Sequence, residues 1–232
     1  MDFTIIVERD ILALFLQGLL TTLKLLGISL AFGLLISIPL AVLRVSRHPL
    51  LAWPVWAYTY ILRGTPMLLQ LYLIYYGLSQ FAAIRESFAW PWLSDATFCT
   101  ALAFILNTSA YTTELIAGAL RNIPHGEIEA ARSYGMSKRQ MYRHVLLPAA
   151  LRRSLPAYSN EVLMMLHGTS LASTVTLLDL TAAADRVYAT YYMPFEPFVT
   201  AGLLYLALTL VLLRLFWLAE RRWLAYLQPR GA

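Results

Sequence analysis

Long apolar runs, separated by short stretches that gather nearly all the charges, constrain this chain more than any other feature. Of its 232 residues 59% are hydrophobic and only 13% charged, where a soluble domain carries roughly 25% charged residues. A helix needs about 20 mostly apolar residues to cross the hydrocarbon core of a bilayer. Five runs reach or approach that length: within 19–43, within about 67–84, within 97–120, from just after Pro156 to about 177, and over 198–218. The sequence therefore reads as an all-α, polytopic membrane protein with about five transmembrane helices. Residues 11–16 are apolar but short, and read as an interfacial lead-in. Residues 50–62 contain Trp53, Trp56, Tyr58 and Tyr60. They read as interfacial, because such rings favour the headgroup level, or as an extension of the second span.

Lys and Arg set the orientation. Residues 44–63 hold Arg44, Arg47 and Arg63 with no acid; residues 121–153 hold seven basic residues against Glu127 and Glu129; the C-terminal end adds Arg214, Arg221, Arg222 and Arg230 against Glu220. The intervening loops are acidic or balanced (Arg85, Glu86 and Asp95; Asp179, Asp185, Arg186 and Glu196), and the leading residues Asp2, Glu8, Arg9 and Asp10 are acidic. Five spans alternate these sides without conflict, with the N-terminus outside and the C-terminus in the cytoplasm. The net charge of +5 is thus a matter of topology. Nucleic acid as a partner is disfavoured, because the basic residues flank spans instead of forming a soluble basic face; Arg44 and Arg47 suit anionic lipid headgroups. No cleavable signal peptide is expected, since the first residues are acidic, and the first span reads as a retained anchor. A single cysteine, Cys99, excludes an internal disulfide and a cysteine metal site. The chain reads as one membrane domain over 1–232.

The polar segment 121–153 is internally coherent. Pro124 can open a helix, Glu127 and Glu129 then lie early, where carboxylates complement the helix dipole, and Gly135 permits a sharp turn. Two short helices joined at Gly135 would make a compact knob that fits a partner's groove. Proline restricts the residue before it and donates no backbone hydrogen bond. Pro148 and Pro156 accordingly read as brackets of the return to the membrane, and Pro39 as a kink in the first span.

The segment reads Gly126-Glu127-Ile128-Glu129-Ala130-Ala131-Arg132-Ser133-Tyr134-Gly135, then nine residues, then Val145-Leu146-Leu147-Pro148. This resembles the EAA motif of ABC importer permeases at Glu129, Ala130, Ala131, Gly135, Leu147 and Pro148, with Val145 departing from the usual Ile. Arg63-Gly64-Thr65-Pro66 with Gln70-Leu71 and Tyr75-Tyr76-Gly77, the run Asn107 to Glu114 with Gly118, the runs Leu155 to Glu161 and His167 to Leu171, and Glu220-Arg221-Arg222-Trp223-Leu224 are similar to further regions of the polar amino-acid permeases, closest to the M-type subunit of histidine, arginine and ornithine systems.

The resemblance implies a type I ABC importer permease fold and an importer half without catalytic residues or a cofactor of its own. Its partners would be a second homologous permease (a heterodimer expected, a homodimer the alternative), two ATPase subunits holding ATP and Mg, a periplasmic or extracellular amino-acid-binding protein and the lipid membrane. Glu127, Glu129, Ala130, Ala131, Gly135, Leu147 and Pro148 would couple to the ATPase. The substrate implied is a basic amino acid (arginine, ornithine, lysine or histidine), with glutamine, glutamate or cystine as alternatives. An ion-coupled carrier or channel, the reading from another class, needs no ATPase dock. No phosphate-binding loop of Walker type is present, and no His, Asp or Cys cluster offers a metal site or a nucleophile with its base.

Ionisable residues inside membrane segments tend to face a cavity. Asn107, Tyr111 and Glu114 are spaced to share one helical face. Asn160, Met164 and His167 share another, with Glu161 about 100° round the helix. A carboxylate there would pair with the guanidinium or ammonium of a basic amino acid while Asn and Tyr orient it. The expected substrate-binding residues are Glu161, Glu114, Asn107, Tyr111 and His167; the last stands where many members of the resembling family carry Lys, which would ease passage of a cation. The alternative is that these polar groups knit helices together. Thr169 and Ser170 would line a pore or bond a carbonyl one turn earlier. The tract Arg63-Gly64-Thr65-Pro66 reads first as the corner where the second span begins, and second as a boundary of the pathway.

Overall fold

The computed structural model describes residues 6 and 8–224. Among them the chain runs through α1 (Arg9–Arg44), α2 (Pro49–Arg63), α3 (Met67–Tyr72), α4 (Ala82–Arg85), α5 (Trp90–Leu93), α6 (Ala96–Arg121), α7 (His125–Ser133), α8 (Lys138–Met141), α9 (Leu147–Gly168), α10 (Leu180–Tyr191) and α11 (Phe195–Trp223), with no strand. A π turn (Leu73–Gly77) and a 3-10 turn (Leu78–Gln80) extend α3; a π turn (Tyr142–Leu146) joins α8 to α9, and a 3-10 turn (Thr169–Val175) extends α9. Asp2 and Arg230, which enter the orientation argument, lie outside the described residues.

The hub is α6, with α1 along most of it, α9 and α2 on its other sides, and α10 bridging α1 to α11. Small residues make this possible. On α1, Gly18, Thr22, Ser29, Gly33, Ser37 and Ala41 are buried, mostly four residues apart and so on one face. In lipid there is little hydrophobic drive between helices, and close backbone approach supplies the contact. A Cβ at Gly33 would collide with the Thr108 side chain, and one at Gly18 would lie 2.7 Å from the Asp179 carbonyl oxygen.

Three apolar clusters follow the bundle. Leu25, Leu71, Phe104 and Leu166 fill its middle. Ile116, Leu120, Ile123, Ala131, Met141 and Leu146 fasten the 121–153 segment to the helix ends. Ile11, Phe15, Leu180, Val187 and Ala201 seal α1, α10 and α11 at the opposite end.

The five expected spans correspond to α1, the α2–α3 pair, α6, α9 and α11. α1 and α11 are long and apolar enough to cross a membrane alone, and Lys138–Val175 with Leu180–Tyr191 qualifies as a pair bent by 46°. α6 has 26 residues, enough at 1.5 Å per residue, but its buried Asn, Ser and Thr lower its apolarity.

Four local expectations are corrected. Residues 11–16 are no lead-in: they are continuous with α1, because Ile11 and Phe15 bury against α10 and α11. Residues 50–62 are not among the four: they take the second of their two readings, the extension of the second span, and form a full helix, α2, continued by α3 beyond a break at Gly64-Thr65-Pro66. That tract is not an end corner, since it lies opposite Asn107 and Tyr111 near the middle of α6. Pro148 and Pro156 do not bracket the helix but lie in α9, with Pro148 in the first turn after the widened π turn. A π turn loosens the backbone register where proline's ring would otherwise crowd the preceding turn. The polar stretch after 177 is not all loop. It forms α10, capped by Asp179 accepting from Ala182 N at 2.9 Å, after Thr176 turns the chain with φ 70°.

Candidate functional site

The break between α2 and α3 organises the site. A helix end leaves its last carbonyls without partners, and irregular backbone at membrane depth survives only where it is buried in protein or lines a cavity. Here each carbonyl is met. Tyr60 O accepts from Gly64 N at 3.0 Å, Ile61 O from Thr65 Oγ1 at 2.9 Å, Leu62 O from Gln70 Nε2 at 2.7 Å, and Arg63 O from Tyr111 OH at 3.3 Å. Asn107 Nδ2 in turn donates to Gln70 Oε1 at 3.0 Å. The break is thereby tied to α6 by two of the residues singled out in the sequence.

Between the break, α6 and α9 lies a cavity of about 440 Å³ whose polar lining includes Arg63, Asn107, Tyr111 and Glu161. Met67, Met164 and Met165 supply its apolar wall. The Arg63 guanidinium carbon stands 5.3 Å from the centre of the Tyr111 ring. Arg63 and Glu161 carry opposite charges into one cavity without forming an ion pair; the two ion pairs among the described residues are Arg44–Glu114 and Arg153–Glu127.

The other two candidates go elsewhere. Glu114 Oε1 accepts from Arg44 Nε at 2.6 Å and from Thr59 Oγ1 at 2.8 Å, clasping α1, α2 and α6. The His167 ring faces α11, with Nε2 3.4 Å from Thr209 Oγ1. The sequence reading gave Arg63 only within a tract whose second reading bounds the pathway, and did not pick out Gln70 or Met67 as site residues. Gln70, a lone amide in an apolar run, carried the same signal of a polar group at membrane depth.

The groove between α6 and α9 continues toward the 121–153 segment. Leu115, Ala119 and Asn122 of the α6 side and Ala157 and Arg153 of α9 follow at helical spacing into a second cavity of about 540 Å³. At its foot Arg153 Nη2 donates to Glu127 Oε1 at 2.7 Å.

That foot is the predicted knob. α7 ends on Gly135 with φ +71°; Gly135 N donates to Arg132 O at 2.9 Å and Met136 N to Ala131 O at 3.2 Å. This is the paired bonding of a Schellman cap, which needs the left-handed region. Ser137 and Gln140 then form a capping box that starts α8. Of the residues proposed to couple, Glu129, Ala130 and Gly135 are exposed on the knob and Ala131 is buried beneath it. Glu127 is tied to Arg153, and Leu147 and Pro148 are partly buried in α9.

Residues 33–224 match the family described as binding-protein-dependent transport system inner membrane component. The chain belongs to that family. It is a multi-pass membrane permease with the type I ABC importer permease fold. Over 213 residues it is 47% identical to the histidine/lysine/arginine/ornithine transport system permease protein HisM of Escherichia coli (strain K12), covering 91% of this chain and 90% of that protein. It is 45% identical over 205 residues to the octopine transport system permease protein OccM of Rhizobium meliloti, covering 88% of this chain and 84% of that one. Among solved structures, the crystal structure of an amino acid ABC transporter with histidines matches with a TM-score of 0.84 at 34% identity, over 96% of this chain and 99% of that chain. The inward-facing MetNI methionine ABC transporter matches with a TM-score of 0.70 at 22% identity, over 93% of this chain and 96% of that chain. The latter likeness concerns the fold alone.

Proposed function

We propose that this permease carries basic amino acids (arginine, ornithine, lysine or histidine) inward through the α6–α9 groove. The observation that carries the reading is the cavity that holds Arg63 and Glu161 apart. An α-amino acid presents a carboxylate, which a guanidinium binds with two parallel hydrogen bonds. A basic one presents a second cation, for which Glu161 is the partner, while the Asn107 amide and the Tyr111 ring orient the substrate. Glu161 is partly buried in this cavity and forms no ion pair among the described residues; burying a charge is costly unless it is paired, so the cavity favours a ligand whose cation neutralises it.

The whole chain, 1–232, acts as one membrane domain, N-terminus outside and C-terminus in the cytoplasm. Exposed Asn160 and His167 on α9 support a second permease closing the groove, since polar groups in membranes favour protein neighbours over lipid. Glu129, Ala130 and Gly135 dock on one of two ATPase subunits, which hold ATP and Mg and hydrolyse the nucleotide, and a soluble binding protein delivers the substrate. This chain contributes the path and the lever and needs no cofactor of its own.

The test is ATP-driven uptake in vesicles that hold the permease pair, the ATPase and the binding protein, comparing labelled arginine, ornithine, histidine and glutamine. Preferential uptake of the basic set is expected, and Glu161→Gln is expected to lower arginine transport at least tenfold more than glutamine transport. Uptake of glutamine alone would overturn the substrate assignment; equal losses for both substrates would reduce Glu161 to a structural residue.

A further inference from the structure

We propose that Gly168, which does not itself line the cavity, sets the length of side chain the site admits by leaving room for the end of Met67. The inference rests on the reading of that cavity as a basic amino-acid site. A Cβ added at Gly168 would overlap Met67 Cε and lie 3.5 Å from Met67 Sδ. The comparison with other glycines is informative. Gly27, Gly118, Gly126 and Gly202 face open space, Gly18 meets backbone, and Gly33 meets the side chain of Thr108 in the α1–α6 contact. At Gly168 the colliding atom is the tip of a cavity-lining side chain.

A thioether on three rotatable bonds yields before the backbone does. Met67 has two sides to move toward. One packs against the middle cluster of Leu25, Leu71 and Phe104, and close-packed interiors do not absorb a displaced group cheaply. The other is the cavity. A methyl group at position 168 therefore pushes Met67 into the space beside Met164 and Met165, along which the methylenes of a substrate side chain would lie. Gly168 is thus a positioning residue: it acts through Met67 and determines how many methylenes fit between the α-carbon and the terminal cation.

The experiment titrates 2,4-diaminobutyrate, ornithine and lysine, which differ by one methylene each, into the purified permease–ATPase complex. Affinity is read from thermal stabilisation without the binding protein, so any preference measured belongs to the permease. Gly168→Ala is expected to leave diaminobutyrate within twofold and to weaken lysine roughly tenfold, the scale of one methylene that does not fit a pocket. Adding Met67→Ala to that variant is expected to restore lysine. Equal weakening of all three ligands by Gly168→Ala, or failure of Met67→Ala to rescue, overturns the inference while leaving the basic amino-acid site standing. A wild-type complex stabilised by none of the three overturns both.

Discussion

Glu114 and Glu161 have the same standing in the sequence: each is an acid within an apolar run, one helical turn or less from other polar residues. Their neighbours separate them. Glu114, 15% exposed, is held by Arg44 and Thr59, whereas Glu161 opens on the cavity with Arg63, to which it forms no ion pair. Glu114→Gln leaves Arg44 largely buried without its counter-charge, and breaking such a pair costs about 3 kcal/mol. We therefore expect a clear drop in the unfolding temperature of the purified complex with its order of substrate preference unchanged. A changed order of preference with unchanged stability would return Glu114 to the binding site. The spacing of Asn107, Tyr111 and Glu114 put all three on one face, but a helical face is wide enough for two neighbours. Which neighbour each residue meets depends on α1 and α2, seventy and fifty-five residues away for Glu114.

At the scale of elements, the α2–α3 break and the Gly135 turn between α7 and α8 both interrupt helix, and each rests on a few bonds. Gln70→Leu removes the donor to Leu62 O and the acceptor for Asn107. A buried polar group left unsatisfied costs about 1–3 kcal/mol, so the variant should be destabilised by that order and lose transport, whereas Gln70 replaced by Glu should keep the link to Asn107 and lose the one to Leu62. Thermal unfolding of the two variants decides whether the amide bridge holds the break. Gly135→Ala forces an L-residue into the left-handed region at a cost of roughly 1–2 kcal/mol; Gly135→Asn, which tolerates that region, should be milder in both stability and uptake. The knob was legible in advance at Gly135, because a glycine that ends a short helix acts locally; the Ser137–Gln140 capping box carries an equally local signal that the sequence reading did not use. The break was half legible. Gly64 and Pro66 announced an interruption, but only its packing against Asn107 and Tyr111 placed it in the middle of the bundle. α10 was missed because Asp179 and Asp185 suggested loop, although Leu180, Ala183, Ala184 and Val187 repeat at helical spacing.

Across the whole molecule, α9 lines the charged cavity with Glu161, Met164 and Met165 and, nearer its start, holds the knob through Arg153. Glu129→Lys, on the exposed face of the knob, should abolish ATP-driven uptake while membrane abundance stays normal; normal uptake would remove Glu129 from the docking surface. Asn160→Cys, on the uncovered polar face of α9, should cross-link to a cysteine on the partner permease under mild oxidation. Cys99 is buried and leaves the background low. Labelling of that position by a lipid-soluble thiol reagent instead would mean that the face looks into the bilayer.

The sequence by itself determined the class of molecule: apolar run length requires a membrane, and the spacing from Glu-Ala-Ala through Gly135 to Pro148 marks the knob, because both are properties of contiguous residues. The tertiary structure decided which polar groups meet. Arg63 faces Glu161 across a cavity while Glu114 is spent on Arg44, because those outcomes depend on how small residues such as Gly18 and Gly33 let distant helices approach, and no local pattern encodes the depth at which two helices cross.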